Sequence, residues 1–127
     1  MHRDLIQSER APAAAGDYSQ AVRLREVTEW LIVSGQVPED VDGVVPADFG
    51  DQCRRAWSNV IAQLEAADMT VADIVKVTTF LASRAFAAEN RAVRTAILGV
   101  HRPALTVVLT AIFDERWMLE IEVVAAR

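Results

Sequence analysis

Apolar positions along this chain recur with two different periods, and the switches between them outline the elements. Asp4 to Gln7 and Ala21 to Arg25 alternate weakly and predict two short strands, separated by a loop that carries Pro12 and Gly16. Trp30-Leu31-Ile32-Val33 predicts a third strand, which stops near Pro38 because proline donates no ladder hydrogen bond. From Asp48 to Ala67 the spacing becomes helical. Phe49, Cys53, Ala56, Trp57, Val60, Ile61, Leu64 and Ala67 form one stripe, with Asp48 placed as N-cap and Asp51 in the first turn. Asp73 to Leu81 predicts a fourth strand. Ser83 opens a second helix that runs to about Leu98 and ends at Gly99. Its stripe is Phe86, Asn90, Val93 and Ile97, and Asn90 is an amide where an apolar side chain is expected.

Leu105 to Ile112 and Trp117 to Val124, joined by Asp114-Glu115-Arg116, predict a β-hairpin. The first run is apolar on both alternating faces, so it must be covered from both sides. In the second, Trp117, Leu119, Ile121 and Val123 share one face, while Met118, Glu120, Glu122 and Val124 share the other. Glu120 and Glu122 therefore stand roughly 7 Å apart on an otherwise apolar surface. The element order predicts an α+β fold, with two helices on one face of a five- or six-stranded sheet. Its opposite face is too apolar to leave in water, and a closed homo-oligomer packed sheet to sheet is the simplest cover.

Composition narrows the function classes. A chain of 127 residues is long enough for one domain, residues 1–127, and not for two. The hydrophobic fraction of 52% and mean hydropathy of +0.17 lie slightly above average, in keeping with a surface covered by another subunit. A formal net charge of −5, with Lys and Arg scattered, argues against a nucleic-acid partner. The lone Cys53 excludes an intramolecular disulfide and fits a reducing compartment; its place in the helical stripe predicts a core thiol. No run approaches 18 apolar residues and the N-terminus lacks an apolar leader, which predicts a cytoplasmic protein with no membrane partner. His2, His101 and Cys53 are too isolated to form a metal site, and no phosphate-cradling glycine motif is present, so no cofactor is expected. Ser34 has no histidine that the sequence places beside it, so no nucleophile triad is assigned.

Several short motifs occur in a fixed order. They are Tyr18-Ser19-Gln20-Ala21-Val22, Val33-Ser34-Gly35-Gln36-Val37-Pro38, Gln52 with Asn59-Val60 and Leu64, Asp73 to Thr78, Asn90, Pro103-Ala104 and Ile121-Glu122. From Ala11 to Ala125 the chain resembles the RidA/YjgF proteins, small enamine/imine deaminases that also carry the endoribonuclease L-PSP name. The resemblance implies a chorismate-mutase-like α+β fold, a homotrimer enclosing a sheet-lined barrel, and clefts for a small metabolite between neighbouring subunits. It implies that Glu122 positions the water attacking an imine carbon, and that Tyr18, Ser34, Gly35 and Asn90 line the cleft with residues 105 and 107. In active members, position 105 is an arginine that grips the substrate carboxylate, and position 107 is often a cysteine. Here they are Leu105 and Val107. Losing one partner of a buried charge pair costs about 2–5 kcal/mol. Arg102 lies three residues away and would have to fold back to compensate. The expectation is thus a divergent hydrolase or deaminase acting on an enamine or imine without the usual carboxylate contact. The alternative is a non-catalytic ligand-binding or regulatory trimer, in which Glu122 is a structural carboxylate. Glu120 is expected to be a solvated or interface group. Ribonuclease action is disfavoured by the acidic balance.

Overall fold

A computed structural model describes residues 1–127. The elements are β1 (His2–Ile6), β2 (Ala21–Arg25), β3 (Trp30–Gln36), α1 (Phe49–Ala66), β4 (Ile74–Leu81), α2 (Ala87–Leu98), β5 (Ala104–Leu109) and β6 (Leu119–Ala126). The fold is α+β, as the order of periods predicts. Strands β3, β6, β4 and β5 form one sheet in that order, with β4 and β5 parallel and the other pairs antiparallel. Strands β1 and β2 pair with each other in a separate ribbon, so the expected five- or six-stranded sheet is realised as four strands plus two. A single bridge between Ser19 and Ala104 ties the loop before β2 to the start of β5.

The predicted hairpin does not form. Strand β4 lies between β5 and β6, and residues 110–118 carry the chain from one side of it to the other. The reason is topological. Strand β5 follows a helix and returns parallel to β4, completing a β–α–β crossover, and β6 then takes the other edge of β4. The turn signal at Asp114-Glu115-Arg116 is genuine but serves the loop alone: the Arg116 amide donates to Asp114 Oδ1 at 2.8 Å, and the Trp117 amide to the Asp114 carbonyl at 3.0 Å.

Helix α1 buries Phe49, Cys53, Ala56, Trp57, Val60 and Leu64 against the sheet, which matches its predicted stripe. Asp48 occupies the N-cap position in an extended conformation but makes no side-chain cap, while Asp51 is engaged by Arg54 at 2.8 Å. Ser83 caps a short 3-10 turn, Arg84–Phe86, and this delays the start of α2 to Ala87. Gly99 ends α2 at φ +59°, a conformation that favours glycine. The sheet supplies Val77, Leu81, Leu119, Ile121 and Val123 to the core, all with essentially no exposure. No helix is long and apolar enough to cross a membrane.

Two side-chain amides, the buried Gln52 and the half-buried Asn59, fix the loops around this core. Gln52 donates to the carbonyls of Pro46 and Arg116 at 2.9 and 3.0 Å and accepts from the Met118 amide at 2.8 Å. Asn59 donates to the carbonyls of Val37 and Glu39, both at 2.8 Å. Each thereby satisfies backbone groups of segments that join no ladder.

Ile121 is packed on every side at the centre of the sheet, so Ile121→Ala is expected to lower stability by about 2–5 kcal/mol. Val41→Ala, at a fully exposed position, is expected to change it by less than about 0.5 kcal/mol. Urea denaturation of both variants checks the ranking.

Candidate functional site

Alternation along β4, β5 and β6 sorts the candidate residues onto opposite faces of the sheet. Glu122 stands opposite Thr78 of β4 in the ladder, and Glu120 stands opposite Phe80, both on the face that carries no helix. Lys76 is on that face too, donating from Nζ to Thr106 Oγ1 at 2.7 Å. The β3–β6 register slips between Val33 and Gln36, leaving Ser34 and Gly35 as a bulge beside Glu122. Glu122 is exposed and lines a small cavity of about 140 Å³ with Ile32, Lys76 and Thr78. The Glu120 side chain lies directly over Gly35, where any Cβ would collide with its carboxylate. A side chain at 35 would thus require the Glu120 carboxylate to swing aside.

Leu105 and Val107 face the other way. Leu105 pairs with Val77 and Val107 with Thr79, so both point to the helix-bearing side, and Leu105 packs against the core. Tyr18 approaches this end of β5 through its neighbour Ser19, whose amide donates to the Pro103 carbonyl at 3.0 Å and whose Oγ donates to the Arg102 carbonyl at 2.6 Å. Tyr18 also borders a cavity of about 160 Å³ with Leu5, Ile6 and Ser19. Asn90 is buried on α2, where Oδ1 accepts a weak bond from Cys53 Sγ at 3.8 Å. Burial pushes that thiol up to about 12, so Cys53 stays protonated and unreactive.

The sequence-predicted residues thus form two groups within one copy. Glu122, Ser34 and Gly35 lie together on the open face, whereas Leu105, Val107 and Asn90 belong to the helix-bearing side, and Tyr18 sits in the loop that Ser19 ties to the start of β5. Backbone of the sheet separates them.

A profile of the endoribonuclease L-PSP family matches residues 8–127. The 2-iminobutanoate/2-iminopropanoate deaminase of Escherichia coli K12 is 39% identical over 126 residues, 96% of either chain. The chain belongs to the RidA/YjgF family. A RutC family protein of Haemophilus influenzae is 45% identical over 82 residues; the match spans 64% of this chain and 61% of that relative's length. The crystal structure of the Rid family protein YyfB from Yersinia pestis superposes with a TM-score of 0.87 at 26% identity, over 100% of both chains.

In this RidA-family chain, Arg102 does not reach toward Leu105. Its guanidinium donates to the carbonyls of Gly16 and Gly99, both at 2.8 Å, and of His101 at 3.2 Å, which commits it to loop backbone. A different arginine cluster lies beside Tyr18. Arg91 Nε and Arg94 Nη2 both donate to Asp17 Oδ2, at 2.9 and 2.8 Å. Sequence reasoning passed over this cluster. Arg94 falls one helical turn after Asn90 on the same side of α2, and that spacing was the available signal. Thr78 and Lys76 were likewise missed, although alternation through Asp73 to Leu81 places them on one face.

Burial pushes the Asp17 carboxyl up, but hydrogen bonds and charge from Arg94, and then Arg91, outweigh it and hold the group below its ordinary range. A carboxyl with a depressed folded pKa stabilises the protein above its unfolded pKa, about 3.9, and that stability disappears as pH falls through the lower folded value. The stability gap between wild type and Asp17→Asn is therefore expected to be full above about pH 5 and to close on further acidification. Denaturation midpoints from pH 7 to pH 2 measure it, and a gap independent of pH would contradict the assignment.

Proposed function

We propose that this protein hydrolyses a small imine or enamine in clefts between subunits of a homotrimer, with Glu122 orienting the attacking water. The observation that carries this reading is the separation of the two groups across the sheet. Glu122 of one copy and the Tyr18–Leu105 end of another can share a cleft only if copies assemble. Exposed apolar side chains support assembly: on the uncovered face Trp30 is 56% exposed and Ile32 79%, with Val108 of β5 partly bare beside them, and the edge strand β5 also leaves Val107 and Leu109 partly bare on its other face. Family membership and the deaminase activity for which the E. coli relative is named support the reaction class.

In the proposed step, Glu122 accepts a hydrogen bond from water and takes its proton as the oxygen bonds to the C=N carbon. The nitrogen is protonated, the resulting carbinolamine collapses to a carbonyl, and ammonia or an amine leaves. Water is the only co-reactant. Leu105 and Val107 offer the substrate an apolar wall where relatives place a cation, so the ordinary carboxylate contact is absent from that point.

Glu122→Gln keeps the shape of the side chain and removes its basicity. It is expected to lower kcat for imine hydrolysis by roughly 10²–10⁴-fold. Wild-type turnover in that variant would remove the mechanism, and a light-scattering mass other than three times the 14.0 kDa protomer would remove the assembly.

A second reading, a non-catalytic ligand-binding trimer, is favoured by Leu105 alone. Leu105→Arg separates the two. If only the guanidinium is missing, 2-imino acid hydrolysis is expected to rise by about 30-fold or more. No gain in a folded trimer favours the binding module.

A further inference from the structure

Of the 13 Lys and Arg residues in this chain, Lys76 alone is a lysine. The difference is chemical, because an ammonium can give up a proton to a reacting atom and a guanidinium stays protonated. Lys76 stands on the open face beside a row of polar groups that crosses three strands. Thr78 of β4 pairs with Thr106 of β5 on one side and with Glu122 of β6 on the other. Lys76 is the next residue of β4 on that face, paired with Ala104 and Val124. Lys76 and Glu122 are therefore diagonal neighbours, about 7–8 Å apart at the backbone and within reach of long side chains. Both line the cavity of about 140 Å³, whose other walls are Thr78 and valine and isoleucine side chains. Lys76 Nζ donates to Thr106 Oγ1 at 2.7 Å, which uses one of its three N–H groups and turns it away from Glu122. In direct contact the two charges would satisfy each other; held apart across a cavity, each can meet a ligand. A water occupies about 30 Å³, so the space also takes a small C=N group. Both histidines are engaged elsewhere, His101 Nε2 at 2.6 Å from the Ile74 carbonyl and His2 Nε2 at 3.0 Å from Glu26.

Imine hydrolysis needs a proton delivered to nitrogen as well as one removed from water. We propose that Lys76 is the general acid that delivers it, opposite Glu122 as the base; this deepens the hydrolytic reading and rests on it. Lys76 Nζ gives a proton to the imine nitrogen while the water oxygen bonds to carbon and Glu122 takes a proton from that water. The result is a neutral carbinolamine, a neutral amine on Lys76 and a protonated Glu122. Glu122 then passes its proton to the carbinolamine nitrogen and Lys76 Nζ takes the hydroxyl proton. The C–N bond breaks as the C=O bond forms, and ammonia or an amine leaves. Both side chains regain their starting charges, and water is the only reactant consumed besides the imine. Thr106 is a positioning residue, acting on the reaction through its bond to Nζ.

Lys76→Arg tests this in the full-length protein, because it keeps the positive charge and a donor for Thr106 but removes the transferable proton. Its kcat for imine hydrolysis is expected to fall by roughly 10²–10⁴-fold with KM little changed. A merely structural or electrostatic role predicts near wild-type kcat in this variant, and that result overturns the proposal. Lys76→Ala supplies a second arm that does not depend on fitting a larger side chain. Methylammonium carries a transferable proton into the space the lysine leaves, and is expected to raise turnover of Lys76→Ala by about tenfold or more. Tetramethylammonium has the same charge and no proton to give, and is expected to raise it not at all. Equal rescue by both cations, or rescue by neither, overturns the proposal. Hydrolysis that Glu122→Gln abolishes and Lys76→Arg leaves intact sinks the acid assignment alone. A wild-type protein that hydrolyses no imine sinks the hydrolytic reading, and the assignment with it.

Discussion

A sheet packed by helices on one face must give its other face to something else, and in this chain period-2 alternation decides which residues go where. Strand β4 sits at the centre, with β6 on one side and β5 on the other. Val77, Thr79 and Leu81 turn toward α1 and α2, so Lys76, Thr78 and Phe80 turn away. The ladders extend this division across the sheet. Ile121 and Val123 enter the core because they pair with the core-facing side of β4, and Glu120 and Glu122 are thereby forced onto the open face. Slipping the register by one residue would bury two carboxylates and expose the core.

The same division shapes the chemistry. Glu122 keeps its carboxylate accessible because no helix covers it, and the bulge at Ser34-Gly35 opens the strand beside it. The Glu120 side chain of β6 lies over Gly35 of β3, in the space that glycine leaves open. The helix-bearing side is drier and more heavily cross-linked. Asp17, Arg91 and Arg94 join the Tyr18 loop to α2, while Arg102 closes the same loop from below through the Gly16 carbonyl. The Asp17–Arg94 pair is nearly buried, so it is screened less than the exposed ion pairs elsewhere on the surface.

Position 105 lies at the boundary between these two sides. Leu105 is absorbed into the core edge beside Val77 as an ordinary apolar contact. Arg91 and Arg94 of α2 bring positive charge to Asp17, a contact that side-chain spacing alone does not connect with the loop before β2.

By itself, the sequence determined the kinds of element and their order, because hydrophobic period is a local property: the α1 stripe from Phe49 to Leu64, the alternation that puts Ile121 and Glu122 on opposite faces, and the stop at Gly99 are all legible in short windows. Ordered motifs also carried the family, since they span nearly the whole chain. Only the tertiary structure decided that β4 separates β5 from β6, because pairing joins residues far apart in the chain and a loop with its own Asp114–Arg116 turn imitates a hairpin. It alone put Leu105 and Glu122 on opposite faces, turned Arg102 to loop carbonyls and brought Asp17 to Arg94 across 77 positions of sequence. Contacts of that span depend on how elements pack, and no local period encodes them.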